Sequence, residues 1–182
     1  MRRFAAVAIT SGALIAGLTT TAAPAVAAPA PGPGVAAVTE QQGTIAKRSV
    51  LAQAEREGRP YSAKETAAIR RATVCRWYER TQGRKKSRHG RWLINVKNRL
   101  TWCYDGLHVV SYRANFSAYT YSKRVWKWRG WNKKRATHTG TWSSVTSEVE
   151  GRFYYTGNRR TYRPWITIMG AFDGRYHYWY GG

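Results

Sequence analysis

Glu148 and Glu150 stand two residues apart in an alternating run from Ser144 to Tyr155, so a strand there puts both carboxylates on one face. With His138 or His177 as the acid and Arg152 on the phosphate, either glutamate could serve as the base of a metal-independent nuclease. That scheme is the one enzymatic reading the residue types allow. His89, His108, His138 and His177 are scattered, without the Ser, Cys or metal-ligand spacing that nucleophilic or zinc chemistry needs. The paired glutamates of a glycosidase flank their bond from separate positions rather than neighbouring ones. Ion pairing to nearby arginines is the simpler expectation for Glu148 and Glu150. No catalytic residue, metal or cofactor is assigned, and binding is favoured over catalysis.

Charge gives a broader signal. The chain carries 31 Lys and Arg against 9 Asp and Glu, a formal +22. A balance of this kind draws a protein to polyanions but is silent about fold. Two stretches concentrate it. Arg84, Lys85, Lys86, Arg88 and Arg91 crowd one segment between apolar runs. Lys127, Arg129, Lys133, Lys134 and Arg135 follow Lys123 and Arg124, interleaved with Trp126, Trp128 and Trp131. Basic groups attract phosphates or sulfates, and exposed rings stack on bases or sugars. Trp126 and Trp128 are expected in the core, and Trp131, beside Gly130, is expected at the surface. The reading is a polyanion-binding surface made of these two stretches, its ligand a cell-wall polymer, an acidic glycan or a nucleic acid. The alternative is a secreted protein-interaction module, an inhibitor or a bacteriocin-like factor.

The elements that must position these groups begin behind a leader. Met1-Arg2-Arg3, an apolar run to about Leu18 and Ala25-Val26-Ala27 read as a secretory signal peptide over residues 1–27. Secretion, extracellular or on the cell wall, follows from it, and no other stretch is long and apolar enough to span a bilayer. Residues 28–38 begin Ala-Pro-Ala-Pro-Gly-Pro-Gly and read as a tether. Residues 39–72 read as a helical arm, a possible pro-segment ending at Arg70-Arg71. Thr39 with Gln42, and Ser62 with Glu65, resemble capping boxes, which predicts helices over 40–57 and 63–71.

From Thr73 to the end the pattern becomes short runs of period two, rich in aromatics, Thr and Val. Strands are expected near 74–80, 92–96, 100–104, 107–121, 125–131, 144–155, 162–169 and 175–180, the fourth with a bend at Ala114-Asn115. Asp105-Gly106 and Asp173-Gly174 predict two-residue hairpin turns with both central residues at positive φ. The fold class is mainly β: an antiparallel β-sandwich or small barrel over 73–182 with a short helical N-terminal arm. Nine Trp and twelve Tyr let such a domain build much of its core from rings. Cys75 and Cys103 are the two cysteines of a secreted chain, and a disulfide bond between them is expected, bracing the basic loop they enclose.

Trp102-Cys103-Tyr104-Asp105-Gly106, Gly151-Arg152-Phe153 and Pro164-Trp165-Ile166-Thr167-Ile168 ahead of Asp173-Gly174 form one set of motifs in the β region. On these residues the region resembles small secreted proteins of high-GC Gram-positive bacteria. It implies secretion and β architecture. That family has no established activity to carry to any residue.

Overall fold

The computed structural model describes residues 32–182. The leader and the first tether residues, 28–31, lie outside the described residues. Among the described residues nine strands form two antiparallel sheets packed face to face, with two short helices and no closed barrel. The first sheet has the order β1-β2-β3-β4, from β1 (Val35–Ile45), β2 (Val74–Lys85), β3 (Trp92–Tyr104) and β4 (Val109–Thr120). The second is ordered β5-β6-β8-β9, from β5 (Trp126–His138), β6 (Ser144–Tyr155), β8 (Trp165–Ala171) and β9 (Tyr176–Gly181). A short β7 (Arg160–Tyr162) pairs with the end of β6, and Pro164, which has no N–H to give a ladder, separates it from β8.

Alternation fills the space between the sheets. Ile94, Val96, Leu100 and Trp102 of β3 meet Val145, Val149 and Phe153 of β6 and Ile166 and Ile168 of β8, all fully buried. Polar Lys97-Asn98-Arg99 interrupts β3 in sequence, yet the strand runs through unbroken. Asn98 is buried at the centre of the core and donates to the Ser147 carbonyl at 3.1 Å, while the Ser147 hydroxyl donates back to Asn98 Oδ1 at 3.1 Å. A buried amide is tolerated where its hydrogen bonds are met, and these cross from one sheet to the other.

The amino-terminal segment differs from expectation. Val35–Ile45 is a strand laid on the edge of β2, from Val35↔Lys85 to Ile45↔Cys75, where the sequence predicts tether and then helix. Thr39 pairs with Thr81 and caps nothing. The first helix, α1, is confined to Lys47–Arg56. The second, α2 (Ala63–Arg71), is as predicted: Ser62 accepts from the Glu65 N–H, and the Glu65 carboxylate accepts from the Ser62 N–H at 2.8 Å. Val50 and Ile69 of the helices pack with Ala72 on the Cys75–Cys103 disulfide, on the outer face of the first sheet.

Other corrections are local. Both Asp-Gly pairs turn hairpins, but positive φ falls on Gly106 and Gly174 alone. Asp105 instead accepts from the N–H groups of Leu107 and His108, and Asp173 from that of Arg175. No bend marks Ala114-Asn115: β4 keeps its register with β3 from Ser111 to Thr120.

One edge of the sandwich is closed by a ladder of arginines and tyrosines. On β2, Arg76, Arg80 and Arg84 point between the sheets. Arg76 lies over the Tyr176 ring, Arg80 between Tyr178 (4.1 Å) and Tyr180 (3.9 Å), and Arg84 over Tyr162 (4.9 Å). Cation–π contacts thus join β2 to the second sheet where aliphatic side chains are absent. Arg80 is also held by Glu40 of β1 at 2.6 Å and by the Tyr78 hydroxyl at 2.9 Å.

Candidate polyanion interface

The strand registers bring three connections and the chain's described start to one end of the sandwich. The β2–β3 loop leaves at Lys85 and returns at Trp92, closed by the Lys86 N–H on the Arg91 carbonyl. The β4–β5 crossover is tied to it, Tyr121 N–H bonding the Leu93 carbonyl and the Arg91 guanidinium lying 3.7 Å over the Tyr121 ring. The β6–β7 turn joins them through the Thr156 N–H on the Val125 carbonyl. Gly32, Lys86, Arg91, Tyr121 and Val125 together line a concavity of about 490 Å³.

Lys86, Arg88, Arg91, Lys123, Arg124, Arg159 and Arg160 are therefore gathered at this end, all exposed. None of the chain's nine acidic residues lies in the three connections. Glu40 and Glu79, partway down β1 and β2, are already engaged, Glu40 with Arg80 and Glu79 with Lys97 at 2.9 Å. Charges within a Debye length of about 8 Å at 0.15 M salt reinforce one another. An acid-free cluster of this kind offers a polyanion several forked donors beside one tyrosine ring.

The residues expected at the site divide into groups. Lys86, Arg88 and Arg91 lie together in the β2–β3 loop. Arg84 is taken up by the fold: its guanidinium donates to the carbonyls of Pro33 (2.8 Å) and Gly34, and it stacks on Tyr162. Lys85 leans over Trp92 at 4.9 Å. Lys127 and Arg129 stand exposed at the start of β5, Arg129 over Tyr154. Lys133 and Arg135 lie further down β5, opposite Glu150 and Glu148 respectively, and Arg135 forms an ion pair with Glu148. Lys134 sits 5.8 Å over the Trp131 ring. The second basic stretch thus runs the height of an edge strand, and only its beginning reaches the basic end.

Two of the three tryptophans of β5, Trp128 and Trp131, exchange their expected places. Trp126 is in the core, but Trp128 is 38 % exposed, and Trp131 packs against the core cluster. The register shifts twice between Trp128 and Lys133, which resets the alternation. The disulfide, too, sits differently. Cys75↔Cys103 joins directly opposed residues at the far end of the β2–β3 hairpin, ten residues and roughly 33 Å along β2 from the basic loop. It braces the helices and leaves the loop to the ladder.

The acid–base scheme meets an obstacle in register. Glu148, Glu150, Arg152 and His177 share the outer face of the second sheet, while His138 stacks on Trp142 at 3.7 Å toward the other side. Glu148 aligns with Thr167 and Trp179, so the His177 Cα is two strands across and two residues along, about 12 Å away. Arg152 donates to the Arg129 carbonyl at 3.0 Å. Among the described residues no group of three or more His, Cys, Asp or Glu is placed to hold a metal, and no helix is long and apolar enough to cross a membrane.

Arg159 and Arg160 were not legible as site residues. No spacing in the sequence singles them out, and only the pairing of Tyr155 with Arg160 lifts them to the basic end. Comparison with family models, with curated proteins and with solved structures found no match.

Proposed function

We propose that this chain is a secreted protein that binds an anionic polymer at the cell envelope, through the acid-free end of its sandwich. The observation that carries this reading is the convergence of Lys86, Arg88, Arg91, Lys123, Arg124, Arg159 and Arg160 from three connections with no carboxylate among them. The leader residues and the disulfide support secretion, since a disulfide persists in an oxidising compartment. Binding draws on released counterions and is steeply salt-dependent.

Chromatography on immobilised heparin tests the proposal. Retention at 0.15 M salt with release by about 0.5 M supports it, and flow-through at low ionic strength overturns it. Replacing Lys86, Arg88, Lys123 and Arg124 together by Ala lowers the eluting salt without shifting the thermal melt. Arg84 is left intact in that variant because its guanidinium bonds the Pro33 and Gly34 carbonyls.

A further inference from the structure

The outer face of the second sheet carries a different kind of surface. Trp165 (36 % exposed) and Trp179 (49 % exposed) project from the adjacent strands β8 and β9. Their register, Trp165↔Gly181 and Thr167↔Trp179, makes them diagonal neighbours roughly 7–8 Å apart, within reach of one extended ligand. The Trp165 indole lies flat across Gly181: a Cβ there would come within 2.8 Å of its Nε1. Only a residue without a side chain leaves room for the ring in that pose.

Beside the indoles, Glu150, Lys133 and Thr167 line a concavity of about 460 Å³. Glu150 and Lys133 are cross-strand partners, yet among the described residues neither forms an ion pair. Glu148, one step along, is occupied by Arg135. In a chain of net charge +22 an unpaired carboxylate next to two exposed indoles does not suit a polyanion. It suits a ligand with hydroxyl or amide N–H donors and a weakly polar flat face. Pyranose rings have both. Their axial C–H groups, slightly positive, rest on the negative face of an indole. Their hydroxyls donate to a carboxylate and accept from an ammonium.

We propose that Trp165, Trp179, Glu150 and Lys133 form a second binding site, for an uncharged pyranose chain. The two indoles stack under neighbouring rings, Glu150 accepts from hydroxyl or amide donors, and Lys133 donates. This site lies on a sheet face, apart from the basic end, and stands whether or not that end binds a polyanion.

Titration of the full chain with chitohexaose and with cellohexaose, in 0.5 M NaCl, separates the two sites. High salt silences the polyanion end and leaves stacking intact. The expected result is saturable quenching of tryptophan fluorescence by at least one of the two oligosaccharides, equal at 0.1 and 0.5 M salt. Trp179→Ala weakens it at least about tenfold, as loss of one stacked ring does. Glu150→Gln weakens it less, and Lys86→Ala leaves it unchanged. Absence of saturable binding by calorimetry for both probes overturns the proposal, as does binding untouched by Trp179→Ala. Concentration-dependent dimerisation abolished by Trp179→Ala, without glycan binding, also overturns it, because the face would then be covered by a second copy of the chain.

Discussion

Removing the Glu40 carboxylate tests whether β1 is part of the fold's energetic centre or a strand merely resting on it. The Arg80 side chain is 4 % exposed and its ionic partner is Glu40 at 2.6 Å. Breaking a buried ion pair by deleting one partner costs about 3–5 kcal/mol, since the surviving charge stays desolvated. Two features lower that figure here. Glu40 is 53 % exposed, so water already screens its end of the pair. The rings of Tyr178 and Tyr180 enclose the guanidinium and each retain roughly 0.5–2 kcal/mol of attraction for it. Glu40→Ala should therefore destabilise the protein by about 2 kcal/mol. For a domain of this size that lowers the melting temperature by about 4–8 °C. Urea unfolding followed by near-ultraviolet circular dichroism should show a lower midpoint with an unchanged slope. Combining Glu40→Ala with Arg80→Met should recover part of the loss, because the second change removes the stranded cation. Strict additivity of the two substitutions, or a loss below about 0.5 kcal/mol for Glu40→Ala, would refute the reasoning.

Two further outcomes follow from the same geometry. Cys75→Ser with Cys103→Ser opens a loop of sequence separation 28, and chain entropy puts the loss at about 3–4 kcal/mol. Because the helices rest on this disulfide, helical circular dichroism should melt ahead of the sheet signal, with heparin retention of the folded protein unaltered; a single wild-type-like transition contradicts this. Burial, and next the hydrogen bond to the Glu40 carboxylate, push the Tyr78 phenol well above the ordinary tyrosine range. The folded state thus holds that proton more tightly than the unfolded chain, so the stabilisation is complete below about pH 10 and is lost as pH rises toward the folded value. Urea midpoints between pH 9 and 11.5 should fall more steeply for the natural protein than for Tyr78→Phe, and parallel curves would rule the coupling out.

Periodicity was informative wherever one strand face is apolar. Ser144–Tyr155 has its predicted bounds because Val145, Val149 and Phe153 alternate with outward polar residues. The capping pattern at Ser62 and Glu65 corresponds to a real cap, and the similar pattern at Thr39 and Gln42 does not. Local hydrogen-bond chemistry is alike at the two places, but Val35–Ile45 finds a full ladder on β2 and the second segment has no such partner. That ladder also changes the meaning of Arg70-Arg71. A cut there would nick the link between β1 and β2 and leave β1 paired in its sheet, unlike a pro-segment that departs. The basic loop was visible in composition, but its partners were not. Lys123 and Arg124 reach it through the crossover, and Arg159 and Arg160 through a turn 70 residues away, both products of register rather than of spacing along the chain.

The sheet order carries a consequence for the time course of folding. Each sheet is assembled from strands that follow one another along the chain, β1 to β4 and then β5 to β9. A chain emerging amino end first can close the whole first sheet, with its disulfide, before any of the second has appeared. Until then the face bearing Ile94, Val96, Leu100 and Trp102 stands open to solvent, with the Asn98 amide in its middle. Until β6 pairs, the hydrogen bonds of that amide are left to water. When β6 arrives, the Ser147 carbonyl and hydroxyl meet its hydrogen bonds from across the core, so the tie between the two sheets is made only once the second is in place.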